Sequence, residues 1–133
     1  MTATALVTGA SGGLGQALVW ELYQKGWTVA LVGRDLERLR AAFGAEAHCI
    51  EADVSTPDGA RAAMEQCQRE LELPAALAHC AGTTLLSPLH RTTPEMYRSC
   101  LTANLDSAFF MLGAFVDALR EARQPGAAVL VSS

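Results

Sequence analysis

Lysine is nearly absent from this 133-residue chain: Lys25 stands alone, and 10 basic residues face 14 acidic ones for a net charge of −4. A protein that grips a polyanion needs the opposite balance, so nucleic acid is not an expected partner. Cysteine is sparse as well, with four residues at 49, 67, 80 and 100, and histidine numbers three. None of the cysteines makes a Cys-x-x-Cys pair, which leaves neither a zinc site nor a disulfide framework to expect. The sequence has no basic n-region ahead of an apolar h-region and no long uncharged apolar run, so a soluble, cytoplasmic protein with reduced thiols and no membrane partner is the expectation. Gly and Pro, at 11 and 5, are too few for a collagen-like or low-complexity chain. What remains is half hydrophobic, and 133 residues suffice for one domain with a real core.

Short apolar runs alternate with amphipathic stretches. Ala5-Leu6-Val7, Thr28–Val32, Ala47–Glu51, Leu77–Cys80 and Ala127–Val131 read as strands. Between them lie helical patterns: 14–25, with apolar residues at Leu14, Ala17, Leu18, Leu22 and Tyr23 and closed by Gly26; 36–43, with Asp35 as its N-cap; one started by Ser55-Thr56-Pro57; and a long one from Thr93-Pro94 to about Arg123. Continuous apolar strands imply cover on both faces, and strand–helix–strand repetition implies right-handed crossovers. The expected fold is α/β, a doubly wound parallel sheet in a single domain spanning 1–133.

The first strand runs into Thr8-Gly9-Ala10-Ser11-Gly12-Gly13-Leu14-Gly15 and then a helix. Glycines permit a sharp turn and close approach of backbone to a ligand, and the helix N-terminus offers unpaired N–H groups to a pyrophosphate. Gly15, one turn into the helix, allows close packing on the sheet. No Gly-Lys-Ser/Thr follows, so this is not a P-loop.

The pattern Thr8-Gly9-x-x-x-Gly13-x-Gly15 resembles the cofactor loop of the short-chain dehydrogenases/reductases. Further pieces are similar in order and spacing: Asp53-Val54 to the acidic-plus-apolar pair that contacts adenine, Ala81-Gly82 to the end of the Asn-Asn-Ala-Gly signature, Asn104 to the Asn of the long fifth helix, and Val129–Ser133 to the strand that delivers the catalytic Ser, with Ser133 in the matching place. The resemblance covers the whole chain. It implies a Rossmann-type sheet with the first five strands in order 3-2-1-4-5. It also implies a cofactor site at Thr8, Gly9, Ser11, Gly12, Gly13, Leu14, Gly15, Arg34, Asp53, Val54, Ala81 and Gly82, and catalytic parts at Asn104 and Ser133. His79 and Cys80 stand where the signature has its two Asn, which in the family tie the central strands together.

The second strand ends Val32-Gly33-Arg34-Asp35. Gly33 falls where NAD-preferring members carry an Asp, and the arginine beside it suits a 2′-phosphate, so NADP(H) is favoured over NAD(H). Asp35 is better used as a helix cap than as a ribose ligand. The same absence of a strand-tip acid argues against an S-adenosylmethionine methyltransferase. The resemblance implies hydride exchange with a carbonyl or alcohol substrate, and a Tyr-x-x-x-Lys that this sequence does not contain: Tyr23 and Tyr97 have no such lysine. The 133 residues are therefore expected to be the inactive front part of a longer enzyme, homodimeric or homotetrameric through its long apolar helix. A non-catalytic dinucleotide sensor on the same fold is the alternative. No role is expected for His48, His79 or His90.

Overall fold

The computed structural model describes residues 2–132. The strands are β1 (Thr4–Thr8), β2 (Thr28–Gly33), β3 (Cys49–Glu51), β4 (Ala76–His79) and β5 (Ala127–Leu130), all parallel in one sheet of order β3-β2-β1-β4-β5. The helices are α1 (Gly13–Gln24), α2 (Leu36–Phe43), α3 (Pro57–Glu70), α4 (Pro94–Leu101) and α5 (Ser107–Ala122). This is the expected order, with the first strand central and the chain reversing direction across the sheet on either side of it.

Alternation along the strands builds two cores. Leu6, Ala30, Val32, Ile50 and Leu77 face α3 and α5, meeting Ala60, Ala63, Met64, Met111 and Phe115. Val7, Val29 and Leu31 face the opposite side and meet Val19 of α1 and Leu39 of α2. Both faces of β1 are thus covered, which accounts for its unbroken apolar run.

Local chemistry sets the helix ends. The side chains of Asp35, Thr56 and Thr93 accept hydrogen bonds from the backbone N–H groups of Arg38, Gly59 and Met96, three residues on in each case. Gly26, at φ 83°, closes α1, with its own N–H and that of Trp27 donating to the carbonyls of Tyr23 and Leu22. The four cysteines are free thiols, and burial pushes that of Cys67 up to about 12.

Three features depart from expectation. The stripe that α1 buries is Gly15, Leu18, Val19 and Leu22, while Leu14 and Ala17 are exposed. Gly15 is the residue that lies against β1, and its place rotates the stripe by one position. The long helix is interrupted: Thr102–Asp106 forms a π-helical turn between α4 and α5. From Pro94 to Ala122 the combined helix runs 29 residues with a hydropathy of 1.3 in its most apolar stretch, long and apolar enough to cross a bilayer. Here its buried residues Met111, Phe115 and Leu119, four apart, pack against the sheet and α3. Finally, β5 is exposed along its whole length, with Val129 62% accessible, so an apolar strand is not here a doubly covered one. Among the described residues no element lies beyond it in the sheet.

Candidate functional site

In a doubly wound sheet, ligands gather where the strand order reverses, at the carboxyl ends of the strands. Here that point lies between β1 and β4, and an open cleft of about 720 Å³ is found there. Its walls come from the turn after β1 (Thr8, Gly9, Ser11, Gly12), the end of β2 (Gly33, Arg34, Asp35), the loop after β3 (Asp53, Val54, Ser55), the exit of β4 (Cys80, Ala81, Gly82, Thr83) and the π-helical turn with Ser107.

The turn itself is a close fit to its neighbours on one side and open on the other. Gly9 adopts φ 62°, and a Cβ there would lie 2.6 Å from the backbone of Cys80 and Ala81. A Cβ on Gly15 would run into the Gly9 carbonyl oxygen, so the helix and the turn after β1 touch backbone to backbone. Gly13 is the reverse case, with nothing within 4 Å of where its Cβ would stand. That space, at the start of α1, is not needed for packing. No side chain caps α1 and its first turn holds no acid, so its N-terminal N–H groups face the cleft without a competing anion.

Arg34 lines the cleft next to Gly33, and Arg38 joins it from the first turn of α2. Arg38 escapes the strand-tip rule because it lies one helical turn further on. Asp35 caps α2, its Oδ1 accepting from the Arg38 N–H at 3.2 Å, which fits the cap expectation. Asp53 accepts from both the N–H and the hydroxyl of Ser55, at 3.0 and 2.6 Å. Those bonds, aided by the Arg34 guanidinium, hold its carboxyl below the usual carboxylate range. Val54 lines the cleft but is mostly buried, at 5% exposure.

Asn104 sits in the π-helical turn, a distortion common at functional positions. Its Oδ1 accepts from the Thr83 N–H at 3.0 Å, and its Nδ2 donates to the carbonyls of Thr83 and Cys100 at 3.0 and 2.9 Å. A Cβ on Gly82 would strike that Oδ1, which is why the residue after Ala81 has none. Cys100 is half-buried beside this amide, its Sγ 3.4 Å from Nδ2.

The structure therefore gathers Thr8, Gly9, Ser11, Gly12, Arg34, Asp53, Val54, Ala81 and Gly82 around one cleft. Gly15 shapes the turn from behind, Gly13 is exposed at the start of α1, Asn104 braces the loop after β4, and Leu14 points outward at 57% exposure. Ser133 lies outside the described residues. Sequence reasoning missed Arg38, Ser55, Thr83 and Ser107 at the cleft, and it gave no role to His79, which is buried directly beneath it.

A glycine turn leading into an uncapped helix N-terminus, at the reversal point of a parallel sheet in order β3-β2-β1-β4-β5, defines a Rossmann-like α/β fold. The chain belongs to the short chain dehydrogenase family, whose sequence profile matches residues 3–133. It is similar to a tropinone reductase homologue of Arabidopsis thaliana, with 37% identity over 140 residues covering 98% of this chain and 51% of that protein. It is also similar to the acetoacetyl-CoA reductase of Paracoccus denitrificans, 31% identical over 135 residues covering 100% of this chain and 55% of the other. Among solved structures, a short-chain dehydrogenase/reductase from Brucella melitensis superposes with a TM-score of 0.82 at 24% identity, over 87% of this chain and 51% of that one. The chain spans about half the length of the relatives it matches.

Proposed function

We propose that the cleft binds a nicotinamide dinucleotide, NADP(H) in preference to NAD(H), and that the chain is the cofactor half of an oxidoreductase acting on a small carbonyl or alcohol. The observation that carries this reading is the convergence on one cleft of the glycine turn (Gly9, Ser11 and Gly12) that leads into the uncapped N-terminus of α1 and the neighbouring arginines Arg34 and Arg38. The helix end and the Gly12–Gly13 backbone would hold the pyrophosphate, and the two guanidinium groups would hold a 2′-phosphate. Asp53 and Val54 would border the adenine, and Ala81-Gly82 would lie along the path toward the nicotinamide. Bound there, the nicotinamide supplies or accepts the hydride. The chain's own residues bind and orient it: Asn104, by holding Thr83, fixes the loop that forms the reacting end of the cleft. That several relatives are named as reductases supports the direction of the reading.

The catalytic acid is proposed to come from a further segment that covers β5, carrying the Tyr-x-x-x-Lys this sequence lacks, with Ser133 placing the carbonyl. Exposed Val129, Leu130 and Val131 are the surface such a segment would bury. Leu101, Leu105 and Phe109, spaced four apart on the outer face of α4–α5, are offered to a second copy of the chain. Titrating the 133-residue chain with NADPH, following nicotinamide fluorescence, tests the binding claim. The expected result is saturable enhancement that NADP⁺ reverses and S-adenosylmethionine does not, with no turnover of ketones. Displacement by S-adenosylmethionine, or ketone reduction by these residues alone at an enzyme-like rate, would overturn it.

A further inference from the structure

His79, at the end of β4, is buried to 2% exposure, and each of its ring nitrogens has one partner. Nδ1 lies 2.7 Å from Thr8 Oγ1 at the end of β1, and Nε2 lies 3.1 Å from Ser107 Oγ at the start of α5. The directions of these bonds follow from their neighbours. Ser107 has one hydroxyl proton, donated to the Ala103 carbonyl at 2.7 Å, so its oxygen accepts from Nε2–H. Nδ1 then carries a lone pair and accepts from the Thr8 hydroxyl, whose oxygen accepts in turn from the N–H groups of Cys80 and Ala81 at 3.2 and 3.3 Å. Every donor and acceptor in the chain of bonds is used, and no buried side-chain polar atom among the described residues lacks a partner.

One end of this chain is the residue before Gly9, where the glycine turn presses on Cys80 and Ala81. The other is the π-helical turn that carries Asn104. We propose that His79 is a positioning residue for the dinucleotide site: as the Nε2–H tautomer it holds the glycine turn and the Asn104 turn in one register, and its protonation releases them. The inference rests on the dinucleotide reading above. A proton on Nδ1 would face a Thr8 oxygen already accepting two N–H groups, and the Thr8 hydroxyl would lose its acceptor.

Among the described residues no acid is hydrogen-bonded to the ring. The flanking strands β1 and β5 contain no titratable residue, the π-helical turn contributes Asp106, α5 carries Asp117, Arg120 and Glu121 well along the helix from Ser107, and Cys100 and Cys80 are the thiols near the ends of α4 and β4. Burial accordingly lowers the imidazole below its ordinary 6.5. The folded protein takes up this proton less readily than the unfolded chain. The lock is therefore complete above about pH 6.5 and is lost as pH falls from there through the folded value.

The test is made on the protein as its gene encodes it, comparing the wild type with His79→Asn, whose amide oxygen can accept from the Thr8 hydroxyl where Nδ1 stands without titrating. NADP⁺ affinity is measured from pH 8 to pH 5.5. The 2′-phosphate titrates near pH 6 in both proteins, so the difference between them isolates His79. The expected result is a wild-type affinity that falls further than that of the variant toward pH 5.5, by at most about tenfold because the imidazole titrates below 6.5, with near-equal binding at pH 8. Superposable pH profiles would overturn the proposal. Nitrogen-15 NMR of the wild-type imidazole is independent of whether the variant folds: a protonated Nε2 and bare Nδ1 at pH 7.5 is expected, and the opposite tautomer would also overturn it. Failure of the wild type to bind NADP⁺ at pH 8 would instead contradict the dinucleotide reading, leaving the tautomer to be decided by the spectrum.

Discussion

Replacing Arg34 and Arg38 together by alanine is expected to weaken NADP⁺ binding about 100-fold while changing NAD⁺ binding less than about threefold. Both arginines are exposed at the rim of the cleft, and neither is paired with a carboxylate among the described residues. They are therefore available to an anion, and no internal ion pair is broken by removing them. A hydrogen bond to a charged group contributes about 1.5–3 kcal/mol. Two such contacts, discounted for solvent exposure, amount to about 2.7 kcal/mol, which is the 100-fold change. The effect should shrink as ionic strength rises, since exposed charges are screened within about 10 Å at 0.1 M salt. Isothermal titration of the double variant with both dinucleotides is the measurement. Equal losses for the two cofactors would show that the arginines do not read the 2′-phosphate.

Gly15→Ala and Gly13→Ala, two residues apart, are expected to fail in different ways. At Gly15 the added methyl group meets the Gly9 carbonyl, which is backbone and can yield only by moving the start of α1 away from the turn after β1. The cost is about 3 kcal/mol, enough to lower the melting temperature by roughly 10 °C. At Gly13 the methyl meets no protein atom within 4 Å, so the fold should be unharmed. Dinucleotide affinity should nonetheless drop, because the methyl occupies the space left for the pyrophosphate. Thermal melts of the two variants, each with and without NADP⁺, separate the outcomes. A stable Gly15→Ala protein would mean that helix and turn do not approach as closely as described. An unchanged affinity in Gly13→Ala would move the phosphate site elsewhere.

What could be read from the sequence was mostly what is decided locally. Asp35, Thr56 and Thr93 cap helices through bonds to residues only three positions away, and Gly26 ends α1 through its own φ. Alternation of elements and crossover handedness gave a doubly wound parallel sheet, while the strand order came from the resemblance of the glycine turn and later motifs to a known family. Non-local features gave no such signal. His79 meets Thr8 across 71 positions and Ser107 across 28, and no spacing rule connects them. Arg38 reaches the cleft because the first turn of α2 begins just beyond the tip of β2, a matter of helix placement rather than motif. The π-helical turn at Asn104 follows from no residue pattern in Thr102–Asp106. Leu14 shows the limit of periodicity: it fits the stripe numerically, yet the packing of Gly15 against β1 turns it outward. Likewise β5 carries the composition of a buried strand, and composition does not say what must come to cover it.

The most direct test of the account is to map NADP⁺ onto the protein by amide chemical-shift changes. The changes are predicted to concentrate at Gly9–Gly15, at Arg34 and Arg38, and at Ala81–Thr83, with the far ends of α1 and α3 unmoved. Absence of shifts, or shifts centred on the groove between α3 and α5 lined by Arg61, Phe109 and Asp117, would contradict it.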